Sequence, residues 1–291
     1  MSNNTEIKKK IALSFDVEDW FTVRNMRSVV SDTDWDKHEL RVHIGMNFIL
    51  DELARKNIKS TFFILGWIAE KLPELVKKIS DHGHEIACHG YKHIPIDLLT
   101  PETFEADLTK AVHILENITG KKIKGFRAPS FSITEKTSWA IDIINKVGLE
   151  YDSSIFVTKH PDYGINNFPN EITKISNIIE VPLKKSSIAG LKIPVCGGGY
   201  FRMLPYPLIR SALKNDLKSE SVVMYFHPWE FDVEQPRLNI GLLKTFRHYV
   251  GLKTNRKKFI NLLNDFEFTT IDQLIALATK EKNLSTYFFK N

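Results

Sequence analysis

Two histidines four residues apart, His89 and His93, follow the apolar run Ile86-Ala87-Cys88. Two imidazoles at that separation fall on one side of a helical turn, where they can share a single divalent ion. A second group, Asp16-Val17-Glu18-Asp19, ends the first apolar run of the chain, Ile11 to Phe15. Carboxylates leaving a buried strand cost folding free energy unless something cationic offsets them, and a metal held with two histidines would do that. Alternation along an extended chain sends Asp16 and Glu18 to one side and Asp19 to the other, while a loop starting here would let Asp19 turn inward. The acidic metal ligand is therefore Glu18 or Asp19. Arg127 ends another apolar run, and Pro129 fixes the chain as it leaves. A guanidinium there can hold and aim a carboxylate such as Asp16 through a bidentate pair. Finally, the very apolar Val222 to Phe226 delivers His227 at its carboxyl end, where barrel-like α/β folds gather their active sites and a general acid would belong.

The elements that must carry these residues alternate short apolar runs with helical periodicity, which predicts a wound α/β fold. Strands are expected at Ile11 to Phe15, Ile58 to Leu65, Glu85 to Cys88, Ile123 to Phe126 and Ser221 to Phe226. Helices are expected at Leu40 to Lys56, Pro73 to Asp81, Pro101 to Thr119 and Thr134 to Val147. Gly83 and Gly120 stand where helix C-termini need them. Residues 151–202, richer in Pro, Gly, Asn and Ser, read as a loop and hairpin excursion over the site. Within them Gly197-Gly198-Gly199 reads as a tight turn admitting close backbone approach rather than the start of a helix.

The chain has 291 residues, 43% of them hydrophobic, enough for a substantial core in one domain. Lys and Arg number 40 against 35 Asp and Glu, a net charge of +5, and the lysines are scattered rather than set beside aromatic residues, so nucleic-acid binding is not indicated. Lys8 to Lys10 reads as a solvated lead-in to the first strand. Cys88 and Cys196 cannot form a disulfide framework and suit a reducing compartment. The apolar residues after Lys10 are too few for a signal-peptide core, and no stretch approaches the roughly 18 to 20 apolar residues of a membrane span. The expectation is a cytoplasmic protein, with peripheral contact to a membrane through a basic surface left open.

Taken in order, Ser14-Phe15-Asp16-Val17-Glu18-Asp19, Ser60-Thr61-Phe62-Phe63-Ile64-Leu65-Gly66, Gly83-His84-Glu85-Ile86, the His89/His93 pair, Arg127-Ala128-Pro129 and His227 resemble the motifs of NodB-type polysaccharide deacetylases, carbohydrate esterase family 4. Tyr151-Asp152-Ser153-Ser154, Gly198-Gly199-Tyr200-Phe201-Arg202, His227-Pro228-Trp229-Glu230 and Gln235-Pro236-Arg237 are similar to the exosortase-associated subgroup. The resemblance implies a deformed (β/α) barrel spanning residues 7–280, with 236–280 as the subgroup's extension. It implies metal-dependent removal of acetyl from an N-acetylated sugar, with zinc the usual ion and cobalt, nickel or manganese as alternatives. Asp16 takes the general-base position, His89 and His93 are metal ligands, Arg127 orients the base, and His227 is the general acid. The family's commonest first motif has two adjacent aspartates; here Val17 takes the second place, and the spacing of two favours Glu18 over Asp19 as the acidic ligand. Ser130 stands where an aromatic or polar residue is usual after Arg-x-Pro. Trp20, Tyr163, Tyr200 and Trp229 flank the site segments and, with Arg237, are candidates to contact the sugar. Two other readings are an amidohydrolase acting on a small amide or ureide, and a non-catalytic carbohydrate-binding barrel.

Overall fold

The protein is described by a computed structural model covering residues 9–161, 163–281 and 283–289; the start of the Lys8 to Lys10 lead-in, and of the expected domain at residue 7, lie outside the described residues. The first half runs β1 (Ile11–Val17), α1 (Val42–Lys56), β2 (Thr61–Ile64), α2 (Gly66–Lys71), α3 (Pro73–Asp81), β3 (Glu85–Cys88), α4 (Pro101–Thr119), β4 (Gly125–Phe126), α5 (Ala140–Lys146) and β5 (Tyr151–Asp152). Hairpins β6 (Thr173–Ile175) with β7 (Ile178–Glu180) and β8 (Ser186–Ile188) with β9 (Leu191–Ile193) follow, then α6 (Gly198–Met203), α7 (Tyr206–Asp216) and β10 (Val222–Phe226). The chain closes with α8 (Leu242–Tyr249), α9 (Leu252–Asp265), β11 (Phe268–Thr269), α10 (Ile271–Glu281) and β12 (Ser285–Thr286).

One curled sheet, an open deformed barrel, has the order β10-β1-β2-β3-β4-β5-β7-β6-β12, parallel except for the β6–β7 hairpin. All seven residues of β1, Ser14 and Asp16 included, are buried, as in a strand covered on both faces. Its first two residues pair with β11 on the edge that β2 leaves open, because β2 pairs only from Ser14 onward. Phe15, Phe62, Phe226 and Phe259 pack face and edge around one another on the helix side, with centroids 4.9 to 6.2 Å apart.

Strand register lines up the chemistry. Val17 pairs with Ile64, Ile64 with Cys88, Cys88 with Phe126, and Phe126 with Asp152. The residues that follow, Glu18, His89, Arg127 and Ser153, therefore emerge side by side at the carboxyl ends. On the other flank Phe15 pairs with Phe226, which sets Asp16 level with His227.

Three expectations need correction. Within the expected excursion of 151–202, the described residues of 153–172 are loop and β6–β7 and β8–β9 are hairpins, but β5, β6 and β7 join the main sheet and β8–β9 forms a separate one. The helix expected over Thr134 to Val147 begins as a 3₁₀ turn at Glu135–Thr137 and is α-helical only from Ala140. A short helix, α6, does begin at Gly198. The close approach at Gly197 is real, since a Cβ there would lie 2.1 Å from the Tyr225 carbonyl oxygen.

Candidate active site

Glu18 leaves the end of β1 with its Oε1 3.1 Å from His89 Nε2 and 3.0 Å from His93 Nε2, and all three side chains are buried. His89 Nδ1 lies 2.8 Å from the Arg127 carbonyl oxygen. A carbonyl can only accept, so Nδ1 carries a proton, and Nε2 is the ring nitrogen turned toward Glu18 and available to a metal. Burial by itself would push the Glu18 carboxyl up, but the imidazoles of His93, His227 and His89 outweigh it and hold the carboxyl well below its ordinary range.

The segment joining the two histidines is not a helical turn. Gly90 has φ 76° and His93 φ 50°, so the chain doubles back in left-handed conformations and brings the second imidazole to the first by a loop. The Tyr91 N–H donates to Asp107 and Arg27 donates to the His93 carbonyl, which tie that loop down.

Asp19, the alternative acidic ligand, faces elsewhere. Its Oδ1 accepts the Trp20 N–H, and its Oδ2 accepts those of Arg41 and Val42 at the start of α1, at 2.7 to 2.8 Å. Burial pushes this carboxyl up to about 6, against those three donors. It serves as a backbone cap, with both oxygens occupied.

Asp16 takes one hydrogen bond from Arg127, Nη1 to Oδ1 at 2.7 Å, rather than the bidentate pair expected. The rest of the guanidinium is used elsewhere: Nε donates to the Ser153 carbonyl, Nη2 to Ser153 Oγ, and Nη1 also to Ser14 Oγ. Phe63 lies under the guanidinium plane at 4.1 Å. Behind this, Asp152 and Glu180 form a wholly buried carboxyl pair; burial pushes both upward, and they accept from Ser154 Oγ and the Ile155 N–H respectively. Ser153 and Ser154 are thereby fixed, and with them Arg127 and the Ala128 N–H that donates to Ser154 Oγ.

His227 Nε2 stands 3.8 Å from Asp16 Oδ2 and 3.9 Å from Glu18 Oε1, and its Nδ1 lies 3.1 Å from Glu230 Oε1. Burial disfavours its charged form, yet Glu18, Glu230 and Asp16 prevail and raise it to about 9. Of the five clustered side chains His227 alone has appreciable exposure, 15%, so the way in from solvent runs past it.

The aromatic candidates separate. Trp20 is buried, donates from Nε1 to the Glu39 carbonyl and packs on Phe21 and His38, so it is core. Trp229 is also buried, its ring stacked on His227 at 5.3 Å and on His248 at 4.3 Å, and it backs the histidine rather than offering a face outward. Tyr163 is half-buried at the end of an aromatic row, Tyr163–Phe156–Phe131–Tyr225, whose last ring meets His227 at 5.6 Å. Phe131, one place beyond Ser130, supplies an aromatic that the motif position lacks; both residues have positive φ, 59° and 54°. Tyr200 is exposed on α6, and Arg237 is exposed with its guanidinium over Tyr249.

Several site residues escaped sequence reasoning. Glu230 is fully buried 3.6 Å from Arg202 Nε, and Arg202 also donates to the carbonyls of Arg247, His248 and Val250. His248 donates from Nε2 to Gln235 Oε1; burial lowers it to about 3, so it stays neutral. These residues lie in the last third of the chain; Arg202, Glu230 and Gln235 stand within motifs similar to the exosortase-associated subgroup, but sequence reasoning assigned them no role.

Residues 3–151 match the family model for polysaccharide deacetylase, just over half of the chain. The chain belongs to the polysaccharide deacetylase family. Residues 153–276 match a domain of unknown function, DUF3473, the part that marks the exosortase-associated deacetylases. Among curated relatives, a peptidoglycan deacetylase-like protein of Gibberella zeae is 32% identical over 62% of this chain and 53% of its own length. The peptidoglycan-N-acetylglucosamine deacetylase of Bacillus cereus is 32% identical over 36% of this chain and 42% of its own. The chain thus spans about half the length of the curated relatives it matches. A Mycobacterium smegmatis crystal structure, described provisionally as a polysaccharide deacetylase, superposes over 98% of this chain and 96% of its own with TM-score 0.62 at 17% identity, which shows the shared fold. Both matched halves of this family member contribute to one site: Asp16, Glu18, His89, His93 and Arg127 come from the first, Ser153, His227 and Glu230 from the second.

Proposed function

We propose that the protein hydrolyses the N-acetyl group of an N-acetylated sugar, in a polysaccharide or in its lipid- or nucleotide-linked precursor, using a bound divalent metal. The observation that carries the reading is the meeting of three metal-type donors with a carboxylate aimed by Arg127 and an imidazole held by Glu230, all at one set of strand ends. Two imidazole nitrogens and one carboxylate oxygen within 4.8 Å of one another, with one tautomer fixed by a carbonyl, fit zinc first and cobalt, nickel or manganese next. When bound, such an ion acidifies a water and polarises the acetyl oxygen.

Glu18, His89 and His93 would hold the ion, and the remaining steps fall to the chain's other residues. Asp16 accepts the attacking water's proton at Oδ2, the oxygen that Arg127 leaves unbound. His227, protonated at neutral pH because its anionic neighbours outweigh its burial, donates from Nε2 to the departing amine nitrogen while Nδ1–H stays on Glu230. The aromatic row ending at Tyr163 offers the sugar a wall beside His227. The buried, unpaired Cys88 and Cys196 support a reducing compartment; no helix among the described residues is long and apolar enough to cross a membrane.

The test is acetate release from N-acetylated oligosaccharides and from a nucleotide-linked N-acetyl sugar, with zinc or cobalt present, for the wild type and Asp16→Asn. Release by the wild type alone supports the reading, and the substrate cleaved sorts polymer from precursor. A folded, metal-loaded protein that releases none overturns it in favour of an amidohydrolase of small amides or a binding barrel.

A further inference from the structure

The stretch from Pro236 to Asn264 contains seven of the chain's 40 Lys and Arg residues and none of its 35 Asp and Glu, so elsewhere the two signs nearly balance, 33 against 35. Five of the seven are exposed: Arg237, Lys244, Arg247, Lys253 and Lys257. In the middle lies α8, which turns its own large apolar side chains outward: Leu242 is 93% exposed, Leu243 62% and Phe246 55%. The helix is nonetheless held firmly. His248 and Tyr249 at its end are buried, and Arg202 on α6 hydrogen-bonds the carbonyls of Arg247 and His248. Its apolar side is thus presented outward by a helix whose other side is fixed to the core.

Exposed leucine and phenylalanine favour a partner with hydrocarbon to offer, and an acid-free basic stretch favours an anionic one. A second copy of the chain would set two such basic stretches against each other, and a nucleic acid has no hydrocarbon for Leu242. An anionic lipid bilayer satisfies both demands: apolar side chains enter the boundary between headgroups and acyl chains while Lys and Arg meet lipid phosphates.

We propose that α8 and the start of α9 form a peripheral contact with an anionic membrane surface, with Leu242, Leu243 and Phe246 inserted and Lys244 and Lys253 at the headgroups. The contact lies close to the acid side of the site: His248 stacks on Trp229 and Trp229 on His227. Docking therefore sets the mouth of the site near the bilayer, where a lipid-linked sugar would be presented. That consequence rests on the deacetylase reading; the docking itself does not.

The experiment is co-sedimentation of the full chain with vesicles of phosphatidylglycerol in phosphatidylcholine and with vesicles of phosphatidylcholine alone, at low and high salt, beside acetate release from a soluble N-acetylated oligosaccharide. Binding is expected to the anionic vesicles only and to weaken with salt. Leu242→Glu with Phe246→Glu is expected to abolish it, and Lys244→Glu with Lys253→Glu to weaken it by at least roughly fivefold per residue, with hydrolysis of the soluble substrate unchanged. Absence of sedimentation by the folded wild type, or equal sedimentation by the Leu242→Glu, Phe246→Glu variant, overturns the proposal. So does concentration-dependent dimerisation that this variant removes without any vesicle binding, which assigns the surface to a second copy. If acetate release fails while vesicle binding behaves as expected, the deacetylase reading fails and the docking surface stands.

Discussion

Glu230 and His227 meet through Oε1 and Nδ1 at 3.1 Å, and the same carboxylate oxygen stands 3.6 Å from the buried guanidinium of Arg202. The imidazole is thus fixed in ring orientation and supplied with an anion, the two things a general acid near neutral pH requires. Arg202 in turn is held by carbonyls at the end of α8 and just beyond it, so the C-terminal elements reach His227 through a chain of three residues.

Rate against pH reads this arrangement directly. His227 is raised from 6.5 to about 9, so the acid is lost as pH climbs through that value. A cation bound at Glu18 opposes protonation, so the alkaline limb of kcat is expected no higher than about 9. Glu230→Gln removes an anion and is expected to move that limb down by roughly one unit or more, with kcat reduced. The imidazolium also contributes stability that is fully present below the ordinary 6.5 and lost through about 9. An unmoved limb in Glu230→Gln would remove Glu230 from the acid's support.

Metal content separates the two carboxylates that adjoin at the end of β1. Glu18→Ala is expected to lose bound zinc, whereas Asp19→Ala should keep it. The latter is expected to lose about 1–3 kcal/mol of stability because three N–H groups, two of them buried, lose their acceptor. Elemental analysis with denaturant unfolding reads both effects.

Zinc in excess should raise the thermal midpoint. At a concentration 100 times the dissociation constant the gain is about 2.7 kcal/mol, several degrees for a protein of this size. His93→Ala should abolish the shift, and a chelator should reverse it in the wild type. A shift that persists in His93→Ala would place the ion elsewhere.

Arg127→Lys keeps the charge but cannot reach Asp16, Ser14 and Ser153 together. A fall in kcat on the order of a hundredfold is expected, with zinc content unchanged because His89 is held by the Arg127 backbone carbonyl, not its side chain. Acetate-release kinetics and metal analysis on the same preparation test it.

Much of the site could be read from the sequence because parallel strands end in register: a polar residue just after a buried apolar run is forced to the same edge as its counterparts. Asp16, Glu18, His89, Arg127 and His227 were legible for that reason. The path between His89 and His93 was not, since a spacing of four fits a helical turn and a left-handed loop equally well, and Gly90 settles it by its backbone. Trp20 and Trp229 look like sugar platforms beside the catalytic segments, but their burial depends on Glu39, His38 and His248, far away in sequence. The Arg202–Glu230 pair was invisible for the same reason, as was the use of Asp19 at the start of a helix more than twenty residues later.

The pairing of β1 with β10 joins residues far apart in the chain, Ile11 beside Val222. A ribosome releases β1 first, and its partner on one flank is not made until some two hundred residues have followed. Through most of synthesis this fully buried strand has one open edge, a template for mispairing. Closing that loop is a long-range event that slows folding. His227, one residue beyond β10, takes its place only when this seam shuts, so Glu18, His89 and His93 can come together well before His227 joins them.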